Sequence, residues 1–221
     1  MAAQRRDIAA APKVARPVAV KDDVYWTPKE ALRTSAFWLL AITFGIASIG
    51  VTGLNLHIYS YVTDLGYSAV GAASVMSVIA SMQLASPLAW GFLTERIDAR
   101  YAAMLRFVVQ ALGLGLAVLM SGQLFWLYLG FFLYGIGLGG NMVLPDILWA
   151  NYFGRLSLGQ IRGMGILISQ ILAAIGPPFF GFLFDITGGY GLSFAIFGIV
   201  LMISAILSLM LRQPVKKDWS H

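Results

Sequence analysis

What most constrains this chain is a set of six long apolar runs, at residues 36–59, 70–93, 102–121, 124–149, 163–184 and 191–211. A helix needs about 20 apolar residues to cross the hydrocarbon core of a bilayer, and each run is close to that length. Lipid offers backbone N–H and C=O groups no partners, so a spanning segment of this kind must satisfy them internally, as a helix. All 15 Lys and Arg residues lie in the N-terminal tail, the second and fourth connections, the adjoining helix ends and the C-terminal tail. The first, third and fifth connections have none. Cytoplasmic loops carry the Lys/Arg excess, so this asymmetry predicts six transmembrane helices with both termini cytoplasmic.

Composition agrees. Only 11% of residues are charged, against about 25% in soluble domains, and 59% are hydrophobic. A net charge of +5 would suit nucleic acid, but the basic residues sit at helix ends and in short loops, where they set topology. Nucleic-acid binding is therefore not expected. Without cysteine there are no disulfides or thiolate metal sites, and His57 and His221 are the only histidines, so no metal-ligand cluster is expected. No leader peptide is expected either, because the first apolar run begins near residue 36 and is long enough to span.

Residues 1–35 mix Ala, Pro, Val and charges without helical period, and Pro12 and Pro17 oppose a helix there. A disordered cytoplasmic tail is predicted, with a short interfacial helix from about residue 27. Thr27 is the expected N-cap, Pro28 suits the first helical position, Glu30 completes a capping box and Trp26 is placed at the membrane interface. Residues 36–211 form the predicted six-helix bundle, and 212–221 a basic cytoplasmic tail. Asp64-Leu65-Gly66-Tyr67 and Asp185 with Gly189-Tyr190 mark matching outside turns, consistent with a three-plus-three repeat.

Polar side chains within spans usually turn toward protein or a water-filled cavity. Ser48, Thr52, Asn55 and Tyr59 are spaced four, three and four, which at about 100° per residue makes one stripe, predicted to line a cavity. His57 lies on another face, beside Gly50, Gly53 and Tyr61. Two readings of it stay open: a satisfied histidine near the membrane interface, or a protonation site at the outer mouth. In the second span Met76, Ala80, Gln83, Pro87 and Trp90 share a face; so do Tyr134 and Asn141 in the fourth, and Gln170 and Pro177 in the fifth. The substrate-cavity candidates are thus Thr52, Asn55, Tyr59, Gln83, Trp90, Tyr134, Asn141 and Gln170. Gln110 has no polar partner along its face and is expected to pack. No buried charge is expected in mid-span: Arg106, one turn into its run, would snorkel, and Asp146 lies near a cytoplasmic end. An anionic solute would then find no counter-charge in this chain.

Gly135-Ile136-Gly137-Leu138-Gly139-Gly140 has the look of a phosphate-binding glycine loop but lies inside an apolar run and follows no strand. Gly135 and Gly139 read instead as a small-xxx-small pair that lets two helices approach. Pro87 and Gly176-Pro177-Pro178 are expected helix breaks that free backbone groups. No Gly-x-Ser-x-Gly pattern or other catalytic constellation accompanies them, so neither enzyme activity nor a cofactor is expected.

Several stretches carry a resemblance. Residues Trp26 to Arg33 leading into Phe37-Trp38 look like the end of a central cytoplasmic loop. Gly91-Phe92-Leu93-Thr94-Glu95-Arg96-Ile97-Asp98-Ala99-Arg100 resembles a Gly-x-x-x-Asp-Arg-x-Gly-Arg-Arg signature, with Glu95 for the Asp and Asp98 for the second Gly. Tyr152-Phe153-Gly154-Arg155, then Gly159 and Arg162-Gly163, are similar to a second cytoplasmic connection, and the stretch from Gly176 to Tyr190 is the most specific. These resemble the C-terminal six-helix half of the major facilitator superfamily of secondary transporters. Asn55-Leu56-His57 followed by Asp64-Leu65-Gly66 is similar to its monocarboxylate and oxalate–formate porter branch. Carboxylate porters of that branch often carry an Arg and an acid where this chain has Pro87 and Gln83, which argues against proton-coupled carboxylate transport by this half.

The resemblance implies an all-α membrane protein, half of that fold, with a three-plus-three inverted repeat. It also implies a cytoplasmic gate drawn from Glu95, Arg96, Arg100, Asp146, Arg155 and Arg162, with Asp146 a partner for the signature loop. The alternative is a solvated charge cluster worth about 0–1 kcal/mol per exposed pair. The expected function is secondary active transport of a small organic solute by alternating access in the cell membrane. The expected partners are lipid, the solute and a second six-helix half, either a separate chain or another copy. A truncated or split reading frame, self-pairing and a non-transporting remnant all account for six spans. An accessory membrane protein that binds a partner subunit is the alternative function.

Overall fold

The computed structural model describes residues 25–216, and every regular element among them is a helix. In chain order these are α1 (Pro28–Leu32), α2 (Ser35–Asp64), α3 (Ala69–Thr94), α4 (Ala99–Leu119), α5 (Leu124–Gly140), α6 (Leu144–Phe153), α7 (Leu158–Thr187) and α8 (Gly191–Leu209). Six stretches are long and apolar enough to cross a membrane, with α5 and α6 together forming one of them. The predicted disordered tail before residue 25 and the basic residues from 217 onward lie outside the described residues.

The short α1 is set by its cap. Thr27 Oγ1 accepts from the Glu30 N–H at 3.3 Å, and the Glu30 carboxylate accepts from the Thr27 N–H at 2.7 Å. Trp26 packs against protein. It is 4% exposed, its N–H donates to Ser157 Oγ at 2.7 Å, and its ring meets Phe153 edge-on at 5.6 Å. An aromatic ring with a protein pocket on offer buries more apolar surface there than at a lipid headgroup.

Because the spans are apolar on nearly all sides, small residues decide which faces meet. A Cβ on Gly135 would lie 2.9 Å from the Ile79 carbonyl oxygen, so that residue does bring α5 against α3. Gly113 and Gly130 do the same reciprocally for α4 and α5, each a built Cβ only 2.6 Å from the other's carbonyl oxygen. The main pairings are α2 with α7, α3 with α5, α4 with α5, α2 with α8, and α4 with α8. Exchanging the first three spans for the last three leaves this set unchanged, which is the three-plus-three pattern in packing form.

The helix breaks fall elsewhere than expected. Pro87 lies inside an uninterrupted α3, and Pro177 and Pro178 inside an uninterrupted α7. The fourth span is the broken one, turning at residues 141–143 between α5 and α6. Pro145 cannot donate to the Asn141 carbonyl and its ring crowds it, so the helix stops and restarts with Pro145 in its first turn.

Candidate functional site

Between α2 and α3 lies a cleft of about 180 Å³ lined by Asn55, Ile58, Met76, Ile79, Ala80 and Gln83. Asn55 and Gln83 supply its polar character among Ile58, Met76, Ile79 and Ala80. Tyr134 of α5 is fully buried behind the cleft, and its hydroxyl donates to Asn55 Oδ1 at 3.1 Å. Three residues of the predicted set, Asn55, Gln83 and Tyr134, thus come together.

The others are dispersed. Thr52 turns to α7, where its hydroxyl donates to the Ala173 carbonyl at 2.6 Å. Trp90 is buried toward α5, and its indole N–H donates to the Ile136 carbonyl at 2.8 Å, with Ser86 donating to the same oxygen at 3.0 Å. Asn141 caps the end of α5, while Tyr59 and Gln170 are exposed on α2 and α7. Pro87 packs near Gly139, and Pro177 sits four residues after Ala173.

His57 lies outside the cleft, against Phe180 and Tyr190. Its ring stacks on Phe180 with 10° between planes, its Nδ1 shares a hydrogen bond with the Tyr190 hydroxyl at 3.2 Å, and its buried Nε2 has no partner among the described residues.

Arg106 corrects the sequence reading. It does not snorkel: its side chain is 0% exposed, and none of its three nitrogens has a hydrogen-bond partner among the described residues. Its guanidinium sits 4.0 Å from the Phe107 ring centre and 5.5 Å from that of Phe44. One turn further along α4, Gln110 is also fully buried, its amide beside the Tyr134 hydroxyl. The apolar run begins at residue 102, but α4 begins at Ala99 after its Asp98 cap, so Arg106 is about two turns inside. The readable signal was the i, i+4 spacing of Arg106 and Gln110, which puts both on one face.

Near the same end of the bundle, Asp146 is taken by Arg162 in a two-pronged pair, Nε to Oδ1 at 2.6 Å and Nη2 to Oδ2 at 2.9 Å. Arg100 pairs with Asp98 at 3.6 Å and reaches the Leu211 carbonyl at 3.5 Å. Glu95, Arg96 and Arg155 are exposed, and Arg96 lies over the Phe92 ring at 4.9 Å. Asp146 therefore does not pair with the loop bearing Glu95 and Arg96.

This is the architecture of a multi-pass α-helical membrane protein. Residues 4–144 and 40–220 match the Major Facilitator Superfamily, and the chain belongs to it. The chain is 28% identical over 180 residues to monocarboxylate transporter 12 of Mus musculus, covering 80% of this chain and 37% of that protein. It is 26% identical over 196 residues to the cyanate transport protein CynX of Escherichia coli strain K12, covering 88% of this chain and 50% of that one. Human monocarboxylate transporter 12 is 26% identical over 180 residues, covering 80% and 35% respectively. The chain thus spans roughly a third to a half of the length of the curated relatives it matches.

Proposed function

We propose that this chain is one six-helix half of a secondary transporter that moves a small monovalent anion by alternating access, working against a second six-helix half. The cleft between α2 and α3, with Asn55 and Gln83 on its wall and Tyr134 behind it, is the observation that carries the reading. It is open to the side of the bundle, where a second half would close it. The spans of α3 and α7 are the least buried of the six, which suits a surface that packs on another bundle. The names of the relatives, monocarboxylate transporter and cyanate transport protein, supply the substrate class. The one-sided Lys/Arg distribution supports a cytoplasmic location for both termini.

The partial coverage of those relatives also favours a second reading, an accessory membrane subunit that does not transport. Vesicles containing the chain alone, and vesicles containing it with a second half, separate the two. Gradient-driven uptake of labelled acetate or cyanate in either preparation supports transport, and flux from the chain alone identifies self-pairing. No uptake from either, with stable binding to the second half, rejects transport in favour of the accessory role.

A further inference from the structure

We propose that Arg106 and Gln110 form the binding site for the charged end of a small monovalent anion, reached from the α2–α3 cleft past Tyr134. This deepens the transport reading and rests on it for the source of the anion. Nε, Nη1 and Nη2 of Arg106 meet here without partners among the described residues, with the Gln110 amide one turn on beside the Tyr134 hydroxyl. Arg has five N–H donors and Gln two, set against a single acceptor, so the cluster is donor-rich. The faces of Phe44 and Phe107 replace part of the guanidinium's hydration, but they offer no acceptor in its plane. No carboxylate pairs with it among the described residues. A buried cation of this kind calls for an anion with oxygen or halide acceptors.

The surrounding helix is built to hold these two side chains. A Cβ on Gly137 would lie 2.6 Å from Gln110 Cβ, and one on Gly140 would lie 2.8 Å from Arg106 Cδ. Both glycines are on α5, on the face that also presents Tyr134 three residues before Gly137. Tyr134 is within electrostatic reach of Gln110 and Arg106 on one side and hydrogen-bonded to Asn55 of the cleft on the other. Rotation of Tyr134 away from Asn55 joins the cleft to the buried pair. An anion entering there exchanges its water for the guanidinium fork and the Gln110 amide.

The test uses the full chain in detergent, melted at constant ionic strength set with sodium gluconate, a much bulkier anion than acetate. The probes are sodium acetate, sodium chloride and acetamide, acetate's neutral counterpart. Acetate is expected to raise the melting midpoint in a saturable way, and acetamide to leave it unchanged. Arg106→Gln removes a buried charge and is expected to fold, with apparent acetate affinity reduced about 10–100-fold. Gln110→Leu, close in volume, reports independently and is expected to weaken acetate less. Saturable stabilisation by chloride as well as acetate sustains the site and makes it a general small-anion site. No saturable acetate effect in the wild type, an equal effect of acetamide, or an unchanged affinity in both variants overturns the proposal. Acetate binding without vesicle flux rejects the transport reading alone, and flux without binding rejects this site alone.

Discussion

The Thr52 hydroxyl donates across the α2–α7 seam to the Ala173 carbonyl, at 2.6 Å the shortest of its three contacts with backbone oxygens. Ala173 is four residues before Pro177, whose missing N–H leaves that carbonyl without its helical donor. A side chain on one helix therefore supplies the hydrogen bond that a proline removed from another, and α7 stays continuous through Pro177.

This relationship is testable by a double-mutant cycle. Thr52→Val, nearly the same shape, should destabilise the protein by about 1 kcal/mol, the order found for interhelical hydrogen bonds in membranes. Pro177→Ala restores an N–H to the Ala173 carbonyl, so the penalty for Thr52→Val should shrink in that background. Denaturation in mixed detergent reads both values, and a penalty independent of residue 177 contradicts the account.

Glycines in the bundle should divide by what they face. Gly135→Ala forces a Cβ against the Ile79 carbonyl at 2.9 Å and should cost about 1–3 kcal/mol. Gly115→Ala, in α4 with open space around it, should be neutral or stabilise by up to about 1 kcal/mol through helix propensity. Melting midpoints of the two variants, compared side by side, check the contrast.

The α1 cap should be acid-sensitive. Hydrogen bonds from the Thr27 backbone N–H and hydroxyl, and then Lys216 at 3.7 Å, hold the Glu30 carboxyl below its usual value of 4.5. A lowered carboxyl pKa means the cap contributes fully above pH 4.5 and is lost as pH falls through the folded-state value. Protection factors at the Thr27 and Glu30 amides, measured against the intrinsic exchange rate at each pH, should fall on acidification below 4.5, and Glu30→Gln should abolish that dependence.

In the proposed two-half transporter, Asn55→Ala and Gln83→Ala should each slow uptake about 5–10-fold, the value of one lost hydrogen bond to a polar solute. Gln123→Ala, in the turn between α4 and α5, should leave it unchanged. Equal effects at all three positions would mean a loss of folding rather than of solute contacts.

Arg96 and Arg162 should separate by partner. Arg162 already holds Asp146 within this chain, with side chains 39% and 43% exposed, so Arg162→Ala should cost no more than about 1 kcal/mol of stability. Arg96 has no ion pair among the described residues, and its partner is proposed to lie on the second half. Arg96→Ala should then bias the assembled transporter inward-open, raising maleimide labelling of a Gln83→Cys probe from the cytoplasmic side. Labelling that does not change rejects the latch.

The number of spans, the membrane location and the superfamily were legible in the sequence by itself, because each follows from local quantities. Run length against bilayer thickness sets the spans, and contiguous motifs such as the loop at Glu95-Arg96 carry the family likeness. The stripe rule put Asn55, Gln83 and Tyr134 each on a definite face by helical spacing alone, and the structure brings those three together. The rule could not say which neighbour that face meets, and so it placed Thr52 and Trp90 on a cavity when they bond to α7 and α5. Only the tertiary structure decided the fates of Arg106, Ala173 and Asn141. An arginine snorkels or is buried according to what stands beside its helix, and here Phe44 and Gly140 belong to other helices. A proline breaks a helix or is absorbed according to whether a distant donor reaches the carbonyl it frees. Thr52 does so at Ala173, whereas at Asn141 the chain turns.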